Sequence, residues 1–287
     1  MATVKAYRRT AWLLRKASVE AFFYALMSAL AVIFLLPLVW MVGASLNTED
    51  RVLSIPPTFF PIPPRFENYL EMWQANIFPI FFYNSVKLAF LNVVGTLFFS
   101  SLAAYAFARL NFVGRDVVFS ILLSTIMIPG TVTLIPLYII YRNIGWIDTH
   151  YPLWLPHILH STYSIFLLRQ FFKTLPQELE DAAKIDGCSS FRIYWQIMLP
   201  QIKPAMAAIG IFTFLGSWND LFGPLIFLNS TELQTLPVGL AMFRREFFTE
   251  LTLLMAGSTL TILPVLVIYF SAQKYFIQGI ALTGIKG

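Results

Sequence analysis

The sequence predicts an all-α membrane protein with six transmembrane helices and one long polar loop on the cytoplasmic side. Three observations lead there. Of the 287 residues, 57% are hydrophobic and only 12% charged, with a mean hydropathy of +0.69, whereas soluble domains carry roughly 25% charged residues. The apolar residues are gathered into long runs, and a spanning helix takes about 20 of them. A single polar stretch, 170–203, is long and well punctuated, unlike a simple membrane turn. This composition excludes a disordered chain, a disulfide scaffold (Cys188 is the one cysteine) and a cytosolic enzyme. The net charge of +5 is distributed along the membrane flanks, so no nucleic acid partner is expected.

Residues 1–20 carry Lys5, Arg8, Arg9, Arg15 and Lys16 directly before the first apolar run, Ala21–Leu46. That run is too long for a signal-peptide core and meets Pro37 and Trp40 instead of a small-residue cleavage site. It is expected to be a retained helix preceded by a cytoplasmic N-terminal segment. Asn47–Ile77 holds Pro56, Pro57, Pro61, Pro63 and Pro64. Proline fixes φ and lacks an amide donor, which predicts an ordered outer loop, with a short amphipathic helix around Phe66–Trp73. The remaining spans are Phe78–Leu102, Val117–Tyr141, Pro152–Leu168, Met206–Leu228 and Leu251–Tyr275. Pro129-Gly130 and Pro136 fall in the third and Pro264 in the sixth, where kinks are expected; Pro152, Pro156, His157 and His160 interrupt the fourth. Asn229–Thr249 is a second outer loop, residues 21–275 form one membrane domain, and 276–287 a cytoplasmic tail. The inner flanks hold 14 of the 20 lysines and arginines and the outer flanks 5, with Lys87 inside a span. This positive-inside bias orients both termini to the cytoplasm.

The inner loop reads as helix, glycine turn, helix. Thr174-Leu-Pro-Gln177 has the form of a capping box, and Pro176 suits a first helical turn. Leu179, Ala182, Ala183 and Asp186 follow at helical spacing as a narrow face of mostly small residues. Gly187 stands where a left-handed residue ends a helix. Ser189 or Ser190 caps a second helix whose Phe191, Tyr194, Trp195 and Met198 form an apolar stripe, stopped by Leu199-Pro200. A short helix presenting small residues suits docking into another protein's groove. An amphipathic pair resting on lipid headgroups has the same periodicity.

Asp181-Ala182-Ala183, three residues to Gly187, nine to Ile197, then Leu199-Pro200, resembles the "EAA" loop of importer-type ABC transporter permeases. All spacings agree; Asp181 stands where that pattern has Glu. Ala103–Leu110, Met127-Ile128-Pro129, Phe171–Pro176, Ile185-Asp186-Gly187, Trp218-Asn219-Asp220 and Gly279–Gly287 are similar to the carbohydrate-importing branch, and within it to the shorter permease subunit of maltose-type importers. The resemblance implies a type I importer fold in which a homologous second permease completes the pathway. It implies two partner ATP-binding subunits holding ATP and magnesium and docking on Glu178, Glu180, Asp181, Ala182, Ala183, Asp186, Gly187, Ile197, Leu199 and Pro200. It further implies an extracytoplasmic solute-binding protein, a bacterial plasma membrane location with lipid around the spans, and a sugar held chiefly by the longer partner subunit. The C-terminal Ile285-Lys286-Gly287 is expected to reach the ATPase interface. No Gly-x-x-x-x-Gly-Lys-Ser/Thr occurs, so no cofactor and no catalytic activity are expected in this chain itself.

Lys87 and Asp220 are charged residues within spans, which are functional candidates because burying a charge in lipid is costly. With Asn84 and Asn219 they are candidate pathway-lining residues. Asn92, Ser124, Thr125 and Thr131 offer further hydroxyl and amide groups to a sugar, although such groups also join helices to each other. His150, His157 and His160 lack metal-like companions and are expected at the outer membrane boundary. Two other classes remain: a self-sufficient secondary transporter for a small polar solute, and a membrane-embedded enzyme. Secondary transporters place coupling carboxylates at mid-membrane, where Asp220 is the one candidate. An enzyme requires an acid–base or nucleophile constellation, and none is visible.

Overall fold

The computed structural model describes residues 2–54, 58–75, 77–159, 161–246 and 250–284. Their contacts divide the chain into two units, 1–72 with 247–259 and 73–246 with 260–287. No strand occurs among the described residues.

The first unit begins with α1 (Ala2–Ser45), whose stretch Lys16–Ser45 contains an 18-residue window of mean hydropathy 2.5 with no buried residue, while its outer end at Ala44 and Ser45 is buried. A helix apolar on all sides is stable only within lipid or among other helices. The outer loop carries α2 (Glu49–Val52) and α3 (Glu67–Gln74), the latter on the expected amphipathic segment. Buried Asn68 orders this loop: its Nδ2 donates to the Ser45 carbonyl at 2.9 Å and the Asn47 carbonyl at 2.8 Å. Those carbonyls have no intrahelical partner beyond the end of α1, so the side chain acts as a C-terminal cap. The Glu49 carboxylate accepts from the amide of Thr252 at 2.7 Å and from its hydroxyl, at the start of α15 (Leu251–Gly284).

The second unit is built around α4 (Phe78–Arg109), which packs against α7 (Tyr151–Leu159), α8 (Thr162–Thr174) and α12 (Lys203–Trp218). Close approach of α7 depends on Gly95, because a Cβ there would overlap the Ile158 side chain.

Three of the six expected spans are not single helices. The third is α5 (Arg115–Ser124), a 3₁₀ turn at Thr125–Met127 and α6 (Gly130–Asn143), bent by 102°. Pro129 causes the break: it disfavours helical geometry at Ile128, which is extended with φ −85° and ψ 114°. The fourth expected span is divided between α7 and α8, with Ser161 in a non-helical conformation; His160 lies outside the described residues. The fifth ends early, at Trp218, and resumes after Leu221 as α13 (Phe222–Phe227). Such interruptions are tolerated at membrane depth where protein or a water-lined cavity satisfies the freed backbone. Among the described residues three helices are individually long and apolar enough to cross a membrane, and two bent pairs raise this to five. The second outer loop contains α14 (Leu236–Glu246). The sixth span, α15, is continuous through Pro264 and runs past its expected end at Tyr275 to Gly284; Ile285, Lys286 and Gly287 lie outside the described residues.

Candidate functional site

The inner loop forms α9 (Glu178–Ile185), a tight turn, α10 (Ser190–Arg192), i→i+5 turns over Ile193–Met198, and α11 (Leu199–Gln201) before an 81° bend into α12. The expected capping box is not formed. The Thr174 hydroxyl donates back to the Phe171 carbonyl at 2.8 Å, inside α8, so α9 begins at Glu178 with Gln177 as its uncapped N-cap. Glu178, Glu180 and Asp181 in the first turn favour that end through the helix dipole instead.

The glycine turn is formed as expected. Gly187 has φ +77°. The Cys188 amide donates to the Ala183 carbonyl at 2.9 Å and the Gly187 amide to the Lys184 carbonyl at 3.0 Å, the paired bonds of a Schellman ending. Ser189 then caps α10, its Oγ accepting from the Arg192 amide at 3.4 Å. A Cβ on Gly187 would meet no atom within 4 Å, so a side chain there acts only through backbone strain, about 1–2 kcal/mol for a non-glycine left-handed residue. Gly187→Val is expected to loosen this turn and reduce recovery of a co-purifying ATPase, while Gly187→Asn, which tolerates the left-handed region, retains more. Equal recovery from both variants and the unmodified chain contradicts this.

The expected small-residue face is not one face. Ala183 is buried at 4% exposure beside Glu180 at 1%, while Ala182 is exposed and Ile185 is 87% exposed. Residues 180 and 183 share one side of a helix and 182 and 185 another, because 3.6 residues make a turn. Ala183 therefore belongs to the chain's own core, with Tyr105, Phe172 and Tyr194, and Ala182 and Ile185 face outward. The expected aromatic stripe divides likewise: Tyr194 and Met198 are buried, Phe191 and Trp195 are exposed at 59% and 50%.

Glu180 anchors the loop. Its Oε1 accepts from the Tyr105 hydroxyl at 2.9 Å, and its Oε2 lies 3.8 Å from Arg109 Nη1. Arg109 also donates to the Phe172 carbonyl at 2.6 and 3.1 Å, to the Leu175 carbonyl, and to Gln177 Oε1 at 2.8 Å. The inner end of α4, the end of α8 and the start of α9 are thus held at one buried point. A second connection joins the Tyr194 and Ser101 hydroxyls at 2.8 Å. In the sequence Arg109 counts among the inner-flank charges and, with Tyr105, falls in the family-like stretch Ala103–Leu110, neither with a role of its own. The Tyr105–Arg109 spacing was a usable signal, since i and i+4 share a helix face.

Of the four candidate pathway residues, Asp220 borders a polar cavity of about 420 Å³ among α4, α7, α12 and α13, and its Oδ1 accepts from the Gly223 amide at 3.0 Å. Asn84, Lys87 and Asn219 are not among its lining residues. The Asn84 amide donates to the Glu232 and Gln234 carbonyls at 2.8 and 2.9 Å, tying α4 to the outer loop. Asn219 donates to the Leu215 carbonyl of its own helix, and Lys87 Nζ sits 5.8 Å from the centroid of the Tyr83 ring. On the outer side, Asp148 (φ +61°) accepts from the Ser230 hydroxyl and the Ser230 and Asn229 amides, which hold its carboxyl below the usual range. His150 Nε2 lies 2.8 Å from the Leu233 carbonyl, and burial pushes its imidazole pKa down. No cluster of three or more metal-ligating side chains occurs among the described residues.

Residues 96–282 match the family described as "Binding-protein-dependent transport system inner membrane component". The chain is 34% identical over 289 residues, 99% of its length and 93% of the relative's, to the probable ABC transporter permease protein YurM of Bacillus subtilis. It is 37% identical over 247 residues, 86% of its length and 84% of the relative's, to the arabinooligosaccharides transport system permease protein AraQ of the same organism. Among solved structures it is similar to a bacterial ABC transporter involved in the import of the acidic polysaccharide alginate, with a TM-score of 0.77 and 25% identity over 88% of this chain and 94% of that one. An inner loop bolted to the membrane helices through Glu180 and Arg109, on a multi-pass helical chain of this length, agrees with those matches: the chain belongs to the binding-protein-dependent transport family, as a membrane-embedded ABC permease component of the carbohydrate-importing type.

Proposed function

We propose that this chain translocates a saccharide across the bacterial plasma membrane, paired with a second, homologous permease, and that two partner ATPases dock on the α9–Gly187–α10 loop. ATP and magnesium are bound by those partners, and an external binding protein delivers the sugar. The observation that carries the reading is the division of α9 into two faces. Glu180 and Ala183 fix it to α4 and α8, while Ala182 and Ile185, with Phe191 and Trp195 beyond the turn, leave an apolar surface open. A helix with an apolar face lying in a partner's groove is a recurring mode of recognition. Closure of the ATPases displaces α9, and the buried Tyr105–Glu180–Arg109 contacts pass that displacement to α4. Because α4 also contacts α7 and α12, the membrane helices rock as a body between outward- and inward-open states.

Affinity purification in mild detergent tests the assembly. ATPase and second permease subunits co-purify under this reading, and vesicles holding the complex take up saccharide only with ATP. Uptake by this chain alone, driven by an ion gradient, supports the secondary-transporter alternative. Orientation has its own check. Cysteines placed in 58–75 or 229–242 are expected to react with an impermeant thiol reagent in intact cells, whereas native Cys188 does not. Labelling of Cys188 from outside overturns the cytoplasmic placement of the loop and of both termini.

A further inference from the structure

Where α4 turns into α5, on the inner side, the second unit gathers more positive charge than its one local carboxylate offsets. A shallow hollow of about 320 Å³ is lined there by Asn111, Phe112, Gly114, Arg115, Asp116 and Val117. Arg115 shapes it. Its Nε and Nη2 donate to the two Asp116 oxygens at 3.1 and 3.3 Å, and its Nη1 donates to Asn111 Oδ1 at 3.1 Å and to the Leu110 carbonyl at 3.4 Å. From α8, Arg169 Nη2 comes within 3.9 Å of Asp116 Oδ1. The Arg169 guanidinium is fixed over the Phe119 ring at 4.0 Å, with its Nε donating to the Phe107 carbonyl at 3.2 Å. Lys173 stands four residues later, on the same face of α8, and acts on the Asp116 carboxylate as well.

Three cations therefore share one carboxylate, and two positive charges are left in excess. Arg115 and Arg169 are held in place by the bonds just described and contribute mainly charge. Lys173 differs: it is exposed, and its amine makes no hydrogen bond or ion pair among the described residues. An ammonium on a flexible stem carries three donors, so this one is available to an anionic oxygen from outside the chain.

The apolar surroundings decide which anion fits. Val113 is fully exposed beside the hollow, and Phe112 in its lining is 44% exposed. Val117 and Ile121 are exposed at 64% and 63%, one turn apart on α5, and Ile121 lies about 9 Å from Arg115 along the helix axis. A free phosphate would neutralise the cations and leave this stripe bare. An anionic phospholipid matches both parts, since basic side chains at the membrane face attract its headgroup and its acyl chain follows α5 into the bilayer.

We infer that this cluster is a binding site for one anionic phospholipid. Lys173 donates to the lipid phosphate, Arg115 and Arg169 supply the surrounding charge, and an acyl chain lies along Val117 and Ile121. The bound lipid joins the start of the broken third span to the end of α8. The inference rests on the inner-side placement of this end of α4 proposed above and adds a specific lipid contact to it.

The test uses the full chain in phosphatidylcholine nanodiscs, alone and assembled with its ATPase and permease partners. The probe is a trace of phosphatidylglycerol with a photoactivatable diazirine in its acyl chain, and the captured residues are mapped by mass spectrometry. Capture is expected on residues 117–121, and it is displaced by excess phosphatidylglycerol but not by phosphatidylcholine or millimolar glycerol 3-phosphate. Lys173→Gln is expected to lower it about fivefold, the equivalent of roughly 1 kcal/mol for one basic residue at the membrane surface, and Lys173→Arg to restore it. Lys203→Gln removes the same charge from another exposed inner-side position and is expected to change nothing. Asp116→Asn, which removes the opposing charge, is expected to raise capture by a similar factor. Equal displacement by phosphatidylcholine, or an equal loss with Lys203→Gln, means general attraction to the bilayer and overturns the site. Displacement by glycerol 3-phosphate assigns the cations to a free phosphate. A fall with Asp116→Asn means a closed ion-pair cluster, and capture that disappears when the ATPases bind means that a protein covers the patch; each of these overturns the inference too. Nanodiscs carry no orientation, so labelling of Cys188 from outside intact cells counts against the inner-side placement alone, while capture still decides the lipid site.

Discussion

Glu180→Ala is expected to abolish ATP-driven uptake while leaving the chain in the membrane. The substitution strands the Arg109 guanidinium, whose side chain is 6% exposed, and removes the acceptor of the Tyr105 hydroxyl. Breaking a buried ion pair by deleting one partner costs about 3–5 kcal/mol. The lower end applies here, because Arg109 keeps the Phe172 and Leu175 carbonyls and Gln177 Oε1. A loss of about 3 kcal/mol shifts the docked loop conformation by more than a hundredfold. Glu180→Gln, which still accepts from Tyr105, and Tyr105→Phe, which removes one hydrogen bond worth about 1 kcal/mol, are expected to fall in between. ATPase subunit recovered per permease, measured across this series, checks the ordering. Full recovery with Glu180→Ala removes Glu180 from the coupling path.

Ala182→Leu and Ala183→Leu are expected to fail in different ways, although the residues are adjacent. Ala183 sits in the cluster containing Tyr105, Phe172 and Tyr194. Added methylenes there overpack a filled site, at about 1–3 kcal/mol. Its expected signature is a lower thermal unfolding temperature of the purified chain, with docking lost as a consequence. Ala182 faces outward, so Ala182→Leu leaves the unfolding temperature of the isolated chain unchanged and weakens only association with the ATPase. Matching unfolding temperatures for the two variants contradict the two-faced description of α9.

Much of the helical order was legible in the sequence because it rests on local chemistry. Apolar runs located α1, α4 and α15, and the glycine at 187 located the loop's turn, since a left-handed ending is a backbone property. What escaped was tertiary. Periodicity grouped Ala182 with Ala183 as small residues, but which side faces the core was decided by Glu180 reaching Tyr105 and Arg109 across 75 and 71 positions of chain. Thr174 had the right spacing for a cap, yet α8 continues through it and captures its hydroxyl. The break at Pro129 was visible as a kink, and its 102° angle was not. Asn84 and Asn92 looked alike as polar residues in one span. The first donates to two carbonyls of the outer loop, and the second donates to the Leu153 carbonyl and Ser217 Oγ between helices, its own oxygen buried without a partner.

Site-directed crosslinking along α9 tests the central claim most directly, namely that this helix is anchored inward through Glu180 and Ala183 and docks outward through Ala182 and Ile185. In a Cys188→Ser background, single cysteines at 182, 183 and 185 would be paired with cysteines across the surface of the co-purified ATPase. Crosslinks at 182 and 185 that change with ATP, and none at 183, are the predicted result. Crosslinks at 183, or none at 182 and 185 in a complex that still hydrolyses ATP and transports, would contradict it.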